Sequence, residues 1–125
     1  MNKLIPLTAI LALLVGAAPS PGKGGNDDRV TRSGDCTGAS NWKLKAKPDD
    51  GALEVEFDVD QNRNGVNWKV KLRRNGKTLV STTRRTKAPS GSFSLDRRIA
   101  NPAGTDEISG VATRDGETCR GSLSI

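Results

Sequence analysis

The feature that most limits how this chain can fold is the run LEVEFDVDQNRNGVNWKVKLRRNG at residues 53–76, where apolar and charged residues alternate twice over. Leu53, Val55, Phe57 and Val59 are apolar, and Glu54, Glu56, Asp58 and Asp60 between them are acidic. A period of two over eight residues is a strand with one buried face, because successive side chains point to opposite sides of a sheet. Val66, Trp68, Val70 and Leu72 repeat the beat, this time with Lys69, Lys71 and Arg73 as the polar set. Set antiparallel with both apolar rows on one side, Phe57 opposite Trp68 brings Glu56 to Lys69 and Glu54 to Lys71. A register two residues away brings Asp58 to Lys69 and Glu56 to Lys71. The expectation is therefore a direct pairing of these two strands, its outer face a ladder of opposite charges at ~0.2–1 kcal/mol per pair. Such a ladder leaves little net field, so any binding is expected beyond its turns, at residues 73–87.

Turn chemistry divides the rest into further short strands. A strand is expected through residues 29–31. Trp42, Leu44 and Ala46 alternate with Lys43, Lys45 and Lys47 until Pro48, Asp49, Asp50 and Gly51 stop the run. Asn75-Gly76 is a two-residue hairpin turn, because a type I′ turn needs positive φ at both central residues. It sets Leu72 opposite Leu79 and Val70 opposite Ser81. Phe93, Leu95 and Ile99 mark another strand, ending at Asn101-Pro102. Asp115-Gly116 joins two final strands at 107–114 and 117–125 and pairs Ala112 with Cys119, Gly110 with Gly121 and Ile108 with Leu123. Seven strands with a short eighth, and no helical periodicity after residue 18, describe an all-β antiparallel sandwich; a small closed barrel is the alternative.

The N-terminus reads as an export signal. Residues 1–3 carry a lysine, residues 4–15 are mostly apolar, and small residues follow at Gly16, Ala17 and Ala18. A mostly apolar run of twelve positions is too short for a membrane span, which takes about 20. The division is then a signal peptide at 1–17, a flexible Pro- and Gly-rich leader at 18–28, and a β domain at 29–125. Without residues 1–17 the chain keeps 19 basic and 14 acidic side chains, a net +5. In an oxidising compartment the two cysteines are expected to form a disulfide, Cys36 to Cys119, closing a loop worth roughly 4–5 kcal/mol in the chain-entropy picture.

Composition removes most catalytic chemistry. The chain has no His, so no Ser-His-Asp or Cys-His nucleophile, His-ligated zinc or imidazole base can be built. Carboxylate-pair hydrolysis needs only Asp and Glu, but Glu54, Glu56 and Asp58 are explained as a strand's outer face. Asp60, Asn62, Asn64 and Gly65 resemble the front of a calcium loop, yet Lys71 stands where the bidentate Glu belongs. No cofactor or metal is expected, and the chain is read as no enzyme. Trp42 and Trp68 fall on alternating inward faces and are read as core.

The segments CTGASNWKLKA, LEVEFDVDQNRNGVNWKV, TRRTKAPSGSF and GETCRGS resemble a group of small secreted actinobacterial proteins with immunoglobulin-like or fibronectin III-like sandwiches. The resemblance runs from Val30 onward and implies fold and location, with no activity attached. The antibody pattern itself is absent: there is no tyrosine for a tyrosine corner, and the cysteines are too far apart.

What remains is charge. Arg73, Arg74, Lys77, Arg84, Arg85, Lys87, Arg97 and Arg98 are the candidate binding residues, in three basic clusters. The expected function is a monomeric, secreted, non-enzymatic binding or interaction module of the cell exterior; the basic residues, spread over three connections with no aromatic interleaved, read first as a solvated surface and second as a contact for an anionic envelope polymer. A protein-binding inhibitor or effector, or a passive structural domain of the envelope, are the alternatives.

Overall fold

A computed structural model describes residues 28–125, so the signal segment and all but the last residue of the leader lie outside the described residues. Eight strands form: β1 (Val30–Asp35), β2 (Asn41–Asp49), β3 (Ala52–Asp60), β4 (Asn67–Arg74), β5 (Lys77–Arg85), β6 (Ser92–Ala100), β7 (Glu107–Arg114) and β8 (Glu117–Ser124). They make two four-stranded antiparallel sheets, ordered β1-β2-β3-β6 and β5-β4-β7-β8. Two open sheets face each other in a sandwich; the closed barrel does not form.

The expected pairing of the two alternating runs is corrected here. β3 and β4 belong to different sheets, and their apolar rows meet across the core. β3 pairs instead with β2, through a tight hairpin whose Asp50 and Gly51 both have positive φ. Both strands present a lysine row, so opposite charge alone cannot choose between β2 and β4 as the acidic strand's partner. The two-residue turn decides for β2, since it closes at little entropic cost. Glu54, Glu56 and Asp58 consequently stand opposite Lys47, Lys45 and Lys43.

The Asn75-Gly76 turn forms with φ of 51° and 82°, and its hairpin carries one bulge, at Leu72/Arg73. That bulge moves the expected register by one residue, so Leu72 meets Val80 and Val70 meets Thr82. The last hairpin forms as expected, with Ala112 opposite Cys119, Gly110 opposite Gly121 and Ile108 opposite Leu123.

The core lies between the sheets and includes Leu44, Phe57, Val59, Trp68, Val70, Leu95 and Ala112, all fully buried. Its aromatic rings need glycine opposite them. A Cβ on Gly110 would lie 2.8 Å from the Phe57 ring, and one on Gly121 would lie 2.3 Å from the ring of Trp42. Trp42 is half-buried and Trp68 is sealed, its indole N–H donating to Gln61 Oε1 at 3.1 Å.

Cys36 and Cys119 form the expected disulfide, joining the end of β1 in one sheet to β8 in the other. The adjacent residues reinforce this edge. Thr37 donates its backbone N–H to Thr118 O and accepts the Thr118 N–H on its hydroxyl, both at 2.9 Å. Glu117, 5% exposed, accepts the Ser40 backbone N–H at 3.0 Å and pairs with Arg114 at 3.0 Å. Burial pushes its carboxyl up, but these hydrogen bonds and the Arg114 charge bring it below the usual glutamate value.

Candidate functional site

The two outer faces differ in charge. On the first sheet, β3 lies in the middle, its acidic row facing the lysines of β2 on one side and, on β6, Arg98 opposite Glu54, Asp96 opposite Glu56 and Ser94 opposite Asp58. Lys45 reaches Glu56 at 3.1 Å. From β6, Arg98 reaches Asp49 at 2.8 Å and Glu54 at 3.3 Å, and its proximity holds the Asp49 carboxyl below the ordinary aspartate value.

On the second sheet the outward row of β4 carries one sign, with the acids of that face, Glu107 and Asp115, outside the groove that this row lines. Inward Trp68, Val70 and Leu72 leave Lys69, Lys71 and Arg73 pointing outward along β4. Directly opposite residues in an antiparallel pair share a side, so the neighbours of each cation can be read off the register. Lys69 stands between Thr83 and Thr113, Lys71 between Ser81 and Val111, and Arg73 between Thr78 and Ser109. Arg120 on β8 lies beyond Val111 on the same face. These four cations line one shallow groove of about 400 Å³ whose lining includes no acid. None of the four is in an ion pair among the described residues, and the buried Nε of Arg73 has no hydrogen-bond partner.

Thr83 also lines a second groove of about 600 Å³ at the edge where β5 comes beside β6. Arg84, Arg85 and Lys87 line it, again with no acid. Thr83 is the residue common to the two basic grooves.

Of the eight cations singled out from sequence, the structure places four here: Arg73 in the first groove, and Arg84, Arg85 and Lys87 in the second. Arg74 is turned to the end of the sandwich and donates to the carbonyl of Ala100. Lys77 opens β5 opposite Arg74. Arg97 and Arg98 lie on β6 in the other sheet, where Arg97 bonds the carbonyl of Asp96 at 2.8 Å and Arg98 is held in its ion pairs. The eight do not form one surface.

Lys69, Lys71 and Arg120 complete the face and escape a local reading of the sequence. The two lysines look neutralised by β3 until β2 claims that strand. Arg120 follows from the alternation of Cys119, Gly121 and Leu123, which turns it outward.

The loops between β3 and β4 and between β5 and β6 are bound together beside the second groove. Gln61 and Asn62 donate their N–H groups to Gly91 O at 3.0 and 3.1 Å. The buried Thr86 hydroxyl donates to Arg63 O at 2.6 Å and accepts the Val66 N–H at 2.9 Å. A Cβ on Gly91 would lie 2.2 Å from Arg63 N, and its φ of 70° is one that glycine adopts freely. Asp60 accepts the Asn62 N–H at 3.1 Å, the turn geometry that this Asx-rich loop provides. Among the described residues no group of three or more acidic or thiol side chains is placed to hold a metal ion.

No protein-family model matches the chain, and neither a curated protein nor a solved structure matches it.

Proposed function

We propose that this protein is a secreted, non-enzymatic binding module of immunoglobulin-like architecture that holds an anionic polymer of the cell exterior on the outer face of its second sheet. The observation that carries the reading is the groove lined by Lys69, Lys71, Arg73 and Arg120, four cations with no acid among them. Cations left without intramolecular partners attract a polyanion and release its counterions on binding.

The architecture is supported by strand order. With β2 and β3 taken as strands A and B, the sheets read A-B-E and C′-C-F-G, with β1 added at the edge and Trp68 on strand C. The disulfide departs from the antibody pattern by joining the β1 edge to β8. Export is supported by the charged, apolar and small-residue succession at residues 1–18 and by the disulfide itself. The likeness to small secreted actinobacterial sandwiches and a monomeric state belong to the same proposal.

A second reading, a protein-binding effector, rests on the loops held by Thr86 and Gly91, since a rigid loop binds with less ordering cost. Retention of the purified protein on wall extract and on secreted proteins at 50 and 200 mM salt separates the two. The polymer reading expects retention to fall about tenfold or more across that range, as for two to three phosphate contacts or more. Retention by one saturable protein that survives the higher salt favours the effector reading, and no retention by either fraction ends both.

A further inference from the structure

The spacing of the β4 cations points to a particular polymer, an inference that rests on the polyanion reading above. Residues two apart on a strand present their side chains about 7 Å apart on one face. Lys69, Lys71 and Arg73 thus form a row with one cation per ~7 Å, three deep over about 14 Å. A polyanion matches this row if its charges recur at the same interval. In a phosphodiester whose phosphates are joined through three carbons, six bonds separate successive phosphorus atoms. At the advance per bond of an extended polypeptide, six bonds cover about 7 Å. A five-carbon linker takes eight bonds and about 10 Å, and inorganic polyphosphate takes two bonds and about 2.5 Å.

A single-stranded nucleic acid shares the three-carbon spacing, but proteins that hold it add aromatic side chains on which bases stack. This face has none to offer. The chain holds two Trp, two Phe and no Tyr; Trp68, Phe57 and Phe93 are buried and Trp42 lies against Gly34 and Gly121. Hydroxyls flank the row instead: Thr83, Ser81 and Thr78 on β5, and Thr113 and Ser109 on β7. They can donate to phosphate oxygens or bond a free hydroxyl on the linker. We infer that the occupant is a linear three-carbon polyol phosphate lying extended along β4, one phosphate on each of Lys69, Lys71 and Arg73.

The test measures dissociation constants of the purified protein for poly(glycerol phosphate), poly(ribitol phosphate), inorganic polyphosphate and oligo-dT, matched for charge, at 50 mM salt. The three-carbon polyol phosphate is expected to bind at least about tenfold more tightly than the other three, a difference of about 1.4 kcal/mol. A charge-conserving double change, Lys71→Ser with Ser81→Lys, moves one cation sideways by about one strand spacing, ~4.8 Å, and is expected to bring the probes within about threefold of one another. Lys69→Gln, which shifts no other group, is expected to weaken the three-carbon polymer most and to lower its salt slope by about 0.7. Equal affinity for all four probes, or a preference that survives the double change, overturns the spacing argument and leaves the polyanion reading standing. Tightest binding of oligo-dT overturns it in favour of nucleic acid. If no probe binds at 50 mM salt, the polyanion reading itself fails.

Discussion

The outer face of β1-β2-β3-β6 and that of β5-β4-β7-β8 are built from the same strand pattern and end in opposite electrostatic states. On the first, the lysines of β2 stand opposite the acids of β3, and Arg98 of β6 joins them at Glu54, while Asp96 and Ser94 face Glu56 and Asp58. On the second, Lys69, Lys71 and Arg73 are enclosed by hydroxyls and Val111. The first face therefore spends its charge on cross-strand pairing, while the second leaves its charge available to a partner. Charge that a fold can neutralise internally and does not is the more informative charge, because repulsion among like neighbours is a standing cost that packing does not require.

The comparison holds only while both faces belong to one rigid body, so its bluntest test is the tie between the sheets. Replacing Cys36 and Cys119 together by Ala frees the β1 edge from β8 and is expected to lower unfolding stability by about 4 kcal/mol for the 83-residue separation. Urea denaturation with and without reductant measures it; a loss below about 1 kcal/mol means that the Thr37, Ser40 and Glu117 contacts already hold that edge.

Charge reversal then probes each face in turn. Lys45→Glu removes the 3.1 Å pair with Glu56 and sets two acids side by side, for an expected loss of about 1 kcal/mol and no change in polymer retention. Lys71→Glu breaks no ion pair and relieves its basic neighbours, so stability is expected to hold or rise by up to about 0.5 kcal/mol while retention collapses. Equal destabilisation by the two changes would erase the distinction between the faces.

Strands were legible in the sequence because one-sided burial writes itself as alternation, and the Asp115-Gly116 hairpin was legible down to its residue pairs. The partner of β3 was not. Lys43, Lys45 and Lys47 match its acids as well as Lys69 and Lys71 do, and only the two-residue turn after Asp49 separates the choices. The site inherits that ambiguity, since a pairing of β3 with β4 would neutralise the β4 lysines and leave only the cations near the turns. Arg98 shows the converse error. In sequence it is a cation beside another cation, and nothing local reveals that Asp49 and Glu54 will claim it from two different strands. The role of Thr86 was equally hidden, because a buried hydroxyl holding a distant loop has no short-range pattern.

The smallest expected effect concerns Asp58, an acid that the first face compensates less well than its neighbour Glu56. Burial, together with repulsion from Glu56, raises the Asp58 carboxyl above the ordinary aspartate value, against the hydrogen bond donated by Ser94 and the charge of Lys43. Burial also acts on Glu56, but hydrogen bonding with Lys45 and Asp58 and the charges of Lys45 and Lys43 together bring that carboxyl below the ordinary glutamate value. The two groups therefore tilt stability in opposite directions through the acid range. Glu56 stabilises the fold above its unfolded value, a contribution lost as pH falls through its folded value; Asp58 exacts a cost above its folded value that disappears as pH falls to its unfolded one. Asp58→Asn keeps an oxygen to accept the Ser94 hydroxyl and removes the charge. It is expected to raise stability at pH 7 by no more than about 0.5 kcal/mol, the group being half exposed and screened. That gain is expected to vanish near pH 3, below the ordinary aspartate value, where the native side chain is itself protonated. Urea titrations of the two proteins at both pH values decide the point, and destabilisation at pH 7 would show that Lys43 compensates Asp58 as fully as Lys45 compensates Glu56.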